Sequence, residues 1–342
     1  MKAAVVESPG VLVVREVPEP VMGPYDALCD ILFCATCTAT DGHLIAGNFP
    51  FGMEYPTILG HESIGRVTQL GAKVRNFRPG DLVTRAGATP HPEVGLQTGW
   101  GGFAQRGIVR DYRAMEADGV ANDGWVFWRM NQVLPAGFDP ADSTLIINWR
   151  ETFSNITRLG VGYNSRVLVV GTGGVGLSFV NHAAILLARE IVVVGSPGRF
   201  ELARKLGAAG VYDYRTEDLA EAIRADYAEG FDFIIDAVGK QGQLDRVLPL
   251  VKPGGAVESY GVDDYFSVTI APHLAPGPFT FFDGSYAEEE SSDMVLRLVQ
   301  EGQLVAKNFY DPQRVYPLEE ITEAFAAVNR REMVKAVVSL QD

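Results

Sequence analysis

The 342-residue chain is poor in cysteine and in basic charge, and it has no long apolar run. Its three cysteines, Cys29, Cys34 and Cys37, crowd near the N-terminus and none follows Cys37. No disulfide framework can span such a fold, and a reducing, cytoplasmic setting is expected. Lysine and arginine number 29 against 43 acidic side chains, a formal charge of −14. That balance argues against nucleic acid and anionic membranes as partners. Apolar stretches such as Ile191 to Gly195 are far too short to cross a bilayer. Met1-Lys2-Ala3-Ala4 opens no signal-peptide pattern. What remains, at 47% hydrophobic content, is enough material for two domains with cores of their own.

Glycine is not scarce, and its placement carries the most information. Gly171, Gly173, Gly174 and Gly176, with Val175 among them, stand directly behind the apolar run Val167 to Val170. A buried strand that turns tightly into a helix needs this spacing. The glycines let the backbone approach a pyrophosphate, while the helix N-terminus supplies amide donors and partial positive charge. Three spaced glycines alone are a weak signal. The helix-like Leu177 to Leu187 and the short strand Ile191 to Val194 complete the strand-helix-strand unit that the reading requires.

Around this unit the pattern changes along the chain. From Met1 to about Phe138, short β-like runs are broken by Gly and Pro. From about Trp149 to Gly284, strands at 167–170, 191–194, 210–212, 231–235, 256–260 and 279–282 alternate with helices, which predicts a doubly wound parallel sheet. Two amphipathic helices, around 293–301 and 318–329, and a strand at 335–340 close the chain.

The second strand of the nucleotide unit ends Val194-Gly195-Ser196-Pro197-Gly198-Arg199. The carboxylate that takes the ribose hydroxyls in an NAD site is missing there. Ser196 and Arg199 suit a phosphate dianion instead, which favours NADP(H).

Cys37-Thr38-Ala39-Thr40-Asp41-Gly42-His43, then Gly60-His61-Glu62, then Arg78-Pro79-Gly80-Asp81-Leu82-Val83, then the glycine-rich turn, occur in that order. Together they resemble the medium-chain dehydrogenase/reductase superfamily and its zinc-dependent alcohol dehydrogenase branch. The resemblance runs on through Asp236-Ala237-Val238-Gly239 and Pro253-Gly254-Gly255 to Tyr316-Pro317-Leu318-Glu319-Glu320. It implies an α/β architecture: a GroES-like β-barrel catalytic domain over 1–148 and 286–342, and a Rossmann dinucleotide-binding domain over 149–285. It further implies one catalytic zinc with Cys37, His61 and Glu62 as candidate ligands, and a proton relay through Thr40 and His43. Glu62 is also a candidate catalytic residue. The implied reaction moves hydride between NADP(H) and an alcohol or carbonyl carbon, in a homodimer or homotetramer.

Three departures accompany the resemblance. Thr38 occupies the usual ligand place, with Cys37 one residue earlier. Asn148 aligns with the third ligand position, where a neutral amide is a poor zinc donor, leaving Glu151 or Glu62 to compensate. The four-cysteine lobe of a structural zinc is absent. The alternatives are a zinc-free reductase of an activated C=C bond and a non-catalytic NADPH-binding protein. The segment from Arg110 to Gln132 is longer than its counterparts and carries Trp125, Phe127, Trp128 and Arg129. It is expected either to line the substrate cleft or to pack a satellite core or subunit contact.

Overall fold

Residues 1–341 are described by a computed structural model, in which the chain forms two units. One comprises Met1–Ile147 and the stretch from Val305 onward, the other Asn148–Leu304.

The first unit begins with an antiparallel hairpin of β1 (Lys2–Ser8) and β2 (Val11–Glu16), followed by β3 (Asp26–Ala35) and α1 (Thr40–Ala46). Next come β4 (Thr57–Ile58), β5 (Glu62–Leu70), β6 (Leu82–Thr84), β7 (Gln97–Thr98), β8 (Arg106–Arg110) and α2 (Tyr112–Ala117). One sheet has the order β2-β1-β4-β7; in the other β3 pairs with β5, which pairs with β6, and β8 pairs with β3. Ala27, Cys29 and Ile31 of β3 and Val67 of β5 share one core. Burial pushes the Cys29 and Cys34 thiols up, so both behave as small apolar side chains.

The second unit starts inside α3 (Leu145–Leu159) and alternates β9 (Arg166–Val170), α4 (Gly174–Ile185), β10 (Glu190–Gly195), α5 (Phe200–Lys205), β11 (Gly210–Asp213), α6 (Leu219–Asp226), β12 (Phe231–Asp236), α7 (Gln243–Val247), β13 (Val251–Ser259), β14 (Thr280–Phe282) and α8 (Glu288–Gln300). The six strands run in the order β11-β10-β9-β12-β13-β14, every neighbouring pair parallel. All five residues of β9 are buried, as a strand covered on both faces requires. The order reverses between β9 and β12, which opens a crevice at their carboxyl ends.

The chain leaves this unit at Val305, whereas the expected boundary lay at 286. The amphipathic pattern of α8 shows that one face is buried but not what covers it. The partner is α3: Arg150 Nη2 donates to Glu288 Oε2 at 2.9 Å, and Ser291 Oγ donates to the Arg150 carbonyl at 2.7 Å. Back in the first unit, β15 (Tyr316–Pro317), α9 (Ile321–Asn329) and β16 (Val337–Ser339) follow, β16 pairing with β3. Among the described residues no helix is long and apolar enough to cross a membrane.

Glu258 of β13 is fully buried; its Oε1 accepts from Asn155 Nδ2 at 2.5 Å and its Oε2 has no partner. Burial pushes its carboxyl up from 4.5 to about 7. The folded chain therefore retains a proton that the unfolded chain releases, and the stability this confers is complete at low pH and lost as pH rises through 7. Glu258→Gln cannot ionise. In urea titrations it is expected to match wild type near pH 4.5 and to exceed it by about 3 kcal/mol at pH 8; a gap independent of pH would contradict this.

Candidate active site

In the first unit, β3 hands the chain to a turn that ends in α1, and the turn is fixed by a buried carboxylate. Asp41 is 0% exposed, and its Oδ2 accepts from the Cys37 backbone N–H at 2.9 Å. Thr38 is left exposed while Cys37 turns inward. At the mouth of β5, Gly60 has φ +95°, and a Cβ there would lie 2.6 Å from the Phe103 backbone nitrogen. Only glycine allows that approach, and it delivers His61 and Glu62 to the same place as Cys37. One donor atom from each of Cys37, His61 and Glu62 lies within 4.8 Å of the other two.

His61 presents its two ring nitrogens to different partners. Nδ1 is 3.4 Å from Asp41 Oδ1, and Nε2 is 4.0 Å from Glu62 Oε1. The Asp41 approach is too poorly aligned for a good hydrogen bond, and Asp41 Oδ1 and His61 Nδ1 are both buried without one. Burial disfavours a charged imidazole, yet Asp41 and Cys37 outweigh it and hold His61 well above its ordinary value. Two neighbours restrain it further: Arg85 Nη1 donates to the His61 carbonyl at 2.9 Å, and the Trp100 ring centroid is 5.4 Å from the imidazole.

Glu62 is clamped from the C-terminal segment. Lys335 Nζ lies 2.6 Å from both Glu62 oxygens and 3.2 Å from the Thr36 carbonyl. Burial opposes the ammonium charge, but Glu62 and Cys37 outweigh it and raise the Lys335 pKa. A thiol, an imidazole with a carboxylate behind it, and a second carboxylate form a donor set that a divalent zinc ion accepts. The cluster fits such an ion. Thr40 opens α1, and His43 lies one turn later with Nδ1 3.0 Å from Asn48 Oδ1.

In the second unit, Gly171 follows β9 with φ +118°, and Gly173 precedes the first turn of α4. A Cβ on Gly176 would lie 2.2 Å from the Gly171 carbonyl oxygen, so helix and strand approach more closely than a side chain permits. Thr172 ties this turn to the end of β10. Its Oγ1 accepts from the Ser196 N–H at 3.0 Å, and a Cβ on Gly195 would meet its side chain at 2.2 Å. Arg199 ends the short 3-10 turn that follows Ser196. Asn148 lies on α3, where its Oδ1 accepts from Ser178 Oγ at 2.8 Å; Glu151 is half-buried on the next turn.

Asp41, Lys335 and Thr172 escaped sequence reasoning. Asp41 carried one signal, an acid in the first turn of a helix beside a candidate ligand. Lys335 carried none, because its partner lies at a sequence separation of 273.

Removing one member of a buried ion pair strands the other, at a typical cost of about 3–5 kcal/mol. Lys335→Met is therefore expected to lose about that much stability in chemical denaturation, and Lys335→Met with Glu62→Leu to regain most of it. A negligible loss in the single variant would contradict the pairing.

The chain matches the family model described as alcohol dehydrogenase GroES-like domain over residues 23–122 and that described as zinc-binding dehydrogenase over 174–283. It is 27% identical to L-galactonate-5-dehydrogenase of Escherichia coli (strain K12), over 99% of each chain. It is 28% identical to the NADP-dependent isopropanol dehydrogenase of Clostridium beijerinckii, over 77% of this chain and 76% of that one. Among solved structures, an alcohol dehydrogenase from Thermus sp. ATN1 superposes over 100% of both chains with a TM-score of 0.79 at 25% identity. With two domain models matched in order, a GroES-like β fold and a parallel Rossmann sheet in place, the chain belongs to the medium-chain dehydrogenase/reductase superfamily, as an oxidoreductase of its zinc-dependent alcohol dehydrogenase-like branch.

Proposed function

We propose that the chain is an NADP(H)-dependent alcohol dehydrogenase or carbonyl reductase with one catalytic zinc, the first unit serving as the catalytic domain and the second as the dinucleotide domain. The convergence of Cys37, His61 and Glu62 within 4.8 Å carries this reading. When bound, zinc supplies Lewis-acid polarisation of the substrate oxygen and the reduced nicotinamide supplies the hydride.

The chain's own residues do the rest. Cys37 offers sulfur and His61 a ring nitrogen, while the Asp41 carboxylate stands 3.4 Å behind Nδ1, where its charge raises the basicity of the imidazole. Glu62 has lone pairs enough to face both Lys335 and a cation. Thr40 and His43, spaced for one face of α1, pass a proton outward from the substrate oxygen. A hydroxyl can accept and donate at once, and an imidazole can do the same through its two ring nitrogens. Amides at the start of α4 take the pyrophosphate, and Ser196 and Arg199 take the adenosine 2′-phosphate. A small-molecule alcohol or carbonyl is the substrate, and the edge strand β14, with Phe281 47% exposed, is a surface for homodimer or homotetramer contact.

Purified protein is expected to contain about one zinc per chain by elemental analysis. Metal-free protein that reduces enones would overturn the reading in favour of C=C reduction, and tight NADPH binding without turnover on alcohols, aldehydes or enones would leave only a binding protein. Arg199→Ala is expected to raise KM for NADPH at least tenfold more than KM for NADH, the loss of one charge-assisted contact; equal changes would sink the NADP assignment. Thr40→Ala is expected to lower kcat by about 10²–10⁴-fold with little change in NADPH affinity. Activity near wild type would exclude Thr40 from the relay.

A further inference from the structure

A cavity of about 470 Å³ opens on the first unit, its apolar lining drawn largely from Met53, Trp100, Ile108, Phe127, Trp128 and Met130 and its polar lining from Arg85, Thr89, Thr98 and Arg110. Two of its residues adopt backbone conformations that side chains avoid: Arg85 has φ 56° and Trp100 φ 71°. A bulky residue in this region is strained and persists only where its surroundings impose it. Here they do. A Cβ on Gly87 would lie 1.9 Å from the Trp100 carbonyl oxygen, so the glycine leaves the room that the Trp100 backbone needs. The strained pair also borders the metal-ligand cluster: Trp100 packs on the His61 ring, and Arg85 holds the His61 carbonyl.

The opposite wall comes from the long segment between Arg110 and Gln132. Phe127 and Trp128 meet edge to face at 5.7 Å, and the Arg110 guanidinium stacks on Trp128 at 4.5 Å while Asp26 accepts its Nε–H at 2.6 Å. Both arginines therefore already serve the protein. Most of what the cavity offers a ligand is indole, phenyl and thioether surface, which favours a ring, while Thr98 Oγ1, buried without a partner, can take one hydrogen bond from a polar group on it.

We propose that this cavity holds the ring of the substrate, so that the chain acts on alcohols or carbonyls bearing an aromatic or alicyclic ring beside the reacting carbon, with Trp100, Phe127 and Trp128 setting that preference. The proposal rests on the functional reading above. Two lining residues connect the cavity to the cluster: the Trp100 ring centroid is 5.4 Å from that of His61, and Arg85 donates to the His61 carbonyl.

The test compares NADPH-driven reduction of benzaldehyde and propanal by the full chain. Wild type is expected to favour benzaldehyde at least tenfold in kcat/KM. Phe127→Ala and Trp128→Ala are each expected to cut that ratio at least fivefold through KM for benzaldehyde, and Trp128→Phe to restore most of it. A ratio near one in wild type, or unchanged in both alanine variants, would overturn the proposal. Saturable quenching of tryptophan fluorescence by benzyl alcohol, weakened in Phe127→Ala, reads the cavity without turnover. Binding without reduction of either aldehyde would uphold the cavity and contradict the reaction, whereas reduction with neither ring preference nor quenching would contradict the cavity alone.

Discussion

The buried ion pair between Glu62 and Lys335 is the constraint on which the first unit depends. It joins the start of β5 to the segment before β16, and Lys335 also reaches the carbonyl of Thr36, one residue before Cys37. A charge pair sealed from water is stable only with both members in place, so the last residues of the chain are needed to hold the ligand cluster. Asp41 acts from the other side, fixing the Cys37 backbone and facing His61. Two carboxylates, an ammonium and an imidazole thus meet with little solvent, and the position of each is set by another.

The nucleotide half is governed by steric absence rather than by charge. Gly176 and Gly195 sit where any side chain would collide with Gly171 or Thr172. The space they leave lets α4 begin at the carboxyl end of β9, beside the reversal in strand order. The amide groups that a phosphate requires are then aimed by the fold itself, before any ligand arrives.

Much of this was legible in the sequence because it is local. The apolar run of β9, the glycines behind it and the alternation of strands and helices through residue 282 follow from periodicity and turn chemistry. So does the order of Cys37, Gly60-His61-Glu62 and the glycine turn. What escaped is non-local. Lys335 reads as one more residue of a closing strand until the fold brings it to Glu62. α8 reads as an amphipathic helix of the closing 286–342 segment, until Arg150 meets Glu288. The displacement of Cys37 from the usual ligand place is a matter of how the turn before α1 is wound, and a buried aspartate decides that winding.

Cys37, His61 and Glu62 are proposed to form a metal centre. X-ray absorption at the zinc edge of the purified chain measures it most directly. The account requires one sulfur scatterer at about 2.3 Å with nitrogen or oxygen neighbours near 2.0–2.2 Å, and loss of the sulfur shell in Cys37→Ser. Zinc surrounded only by nitrogen and oxygen in the wild-type chain, or a sulfur shell that survives Cys37→Ser, would contradict it.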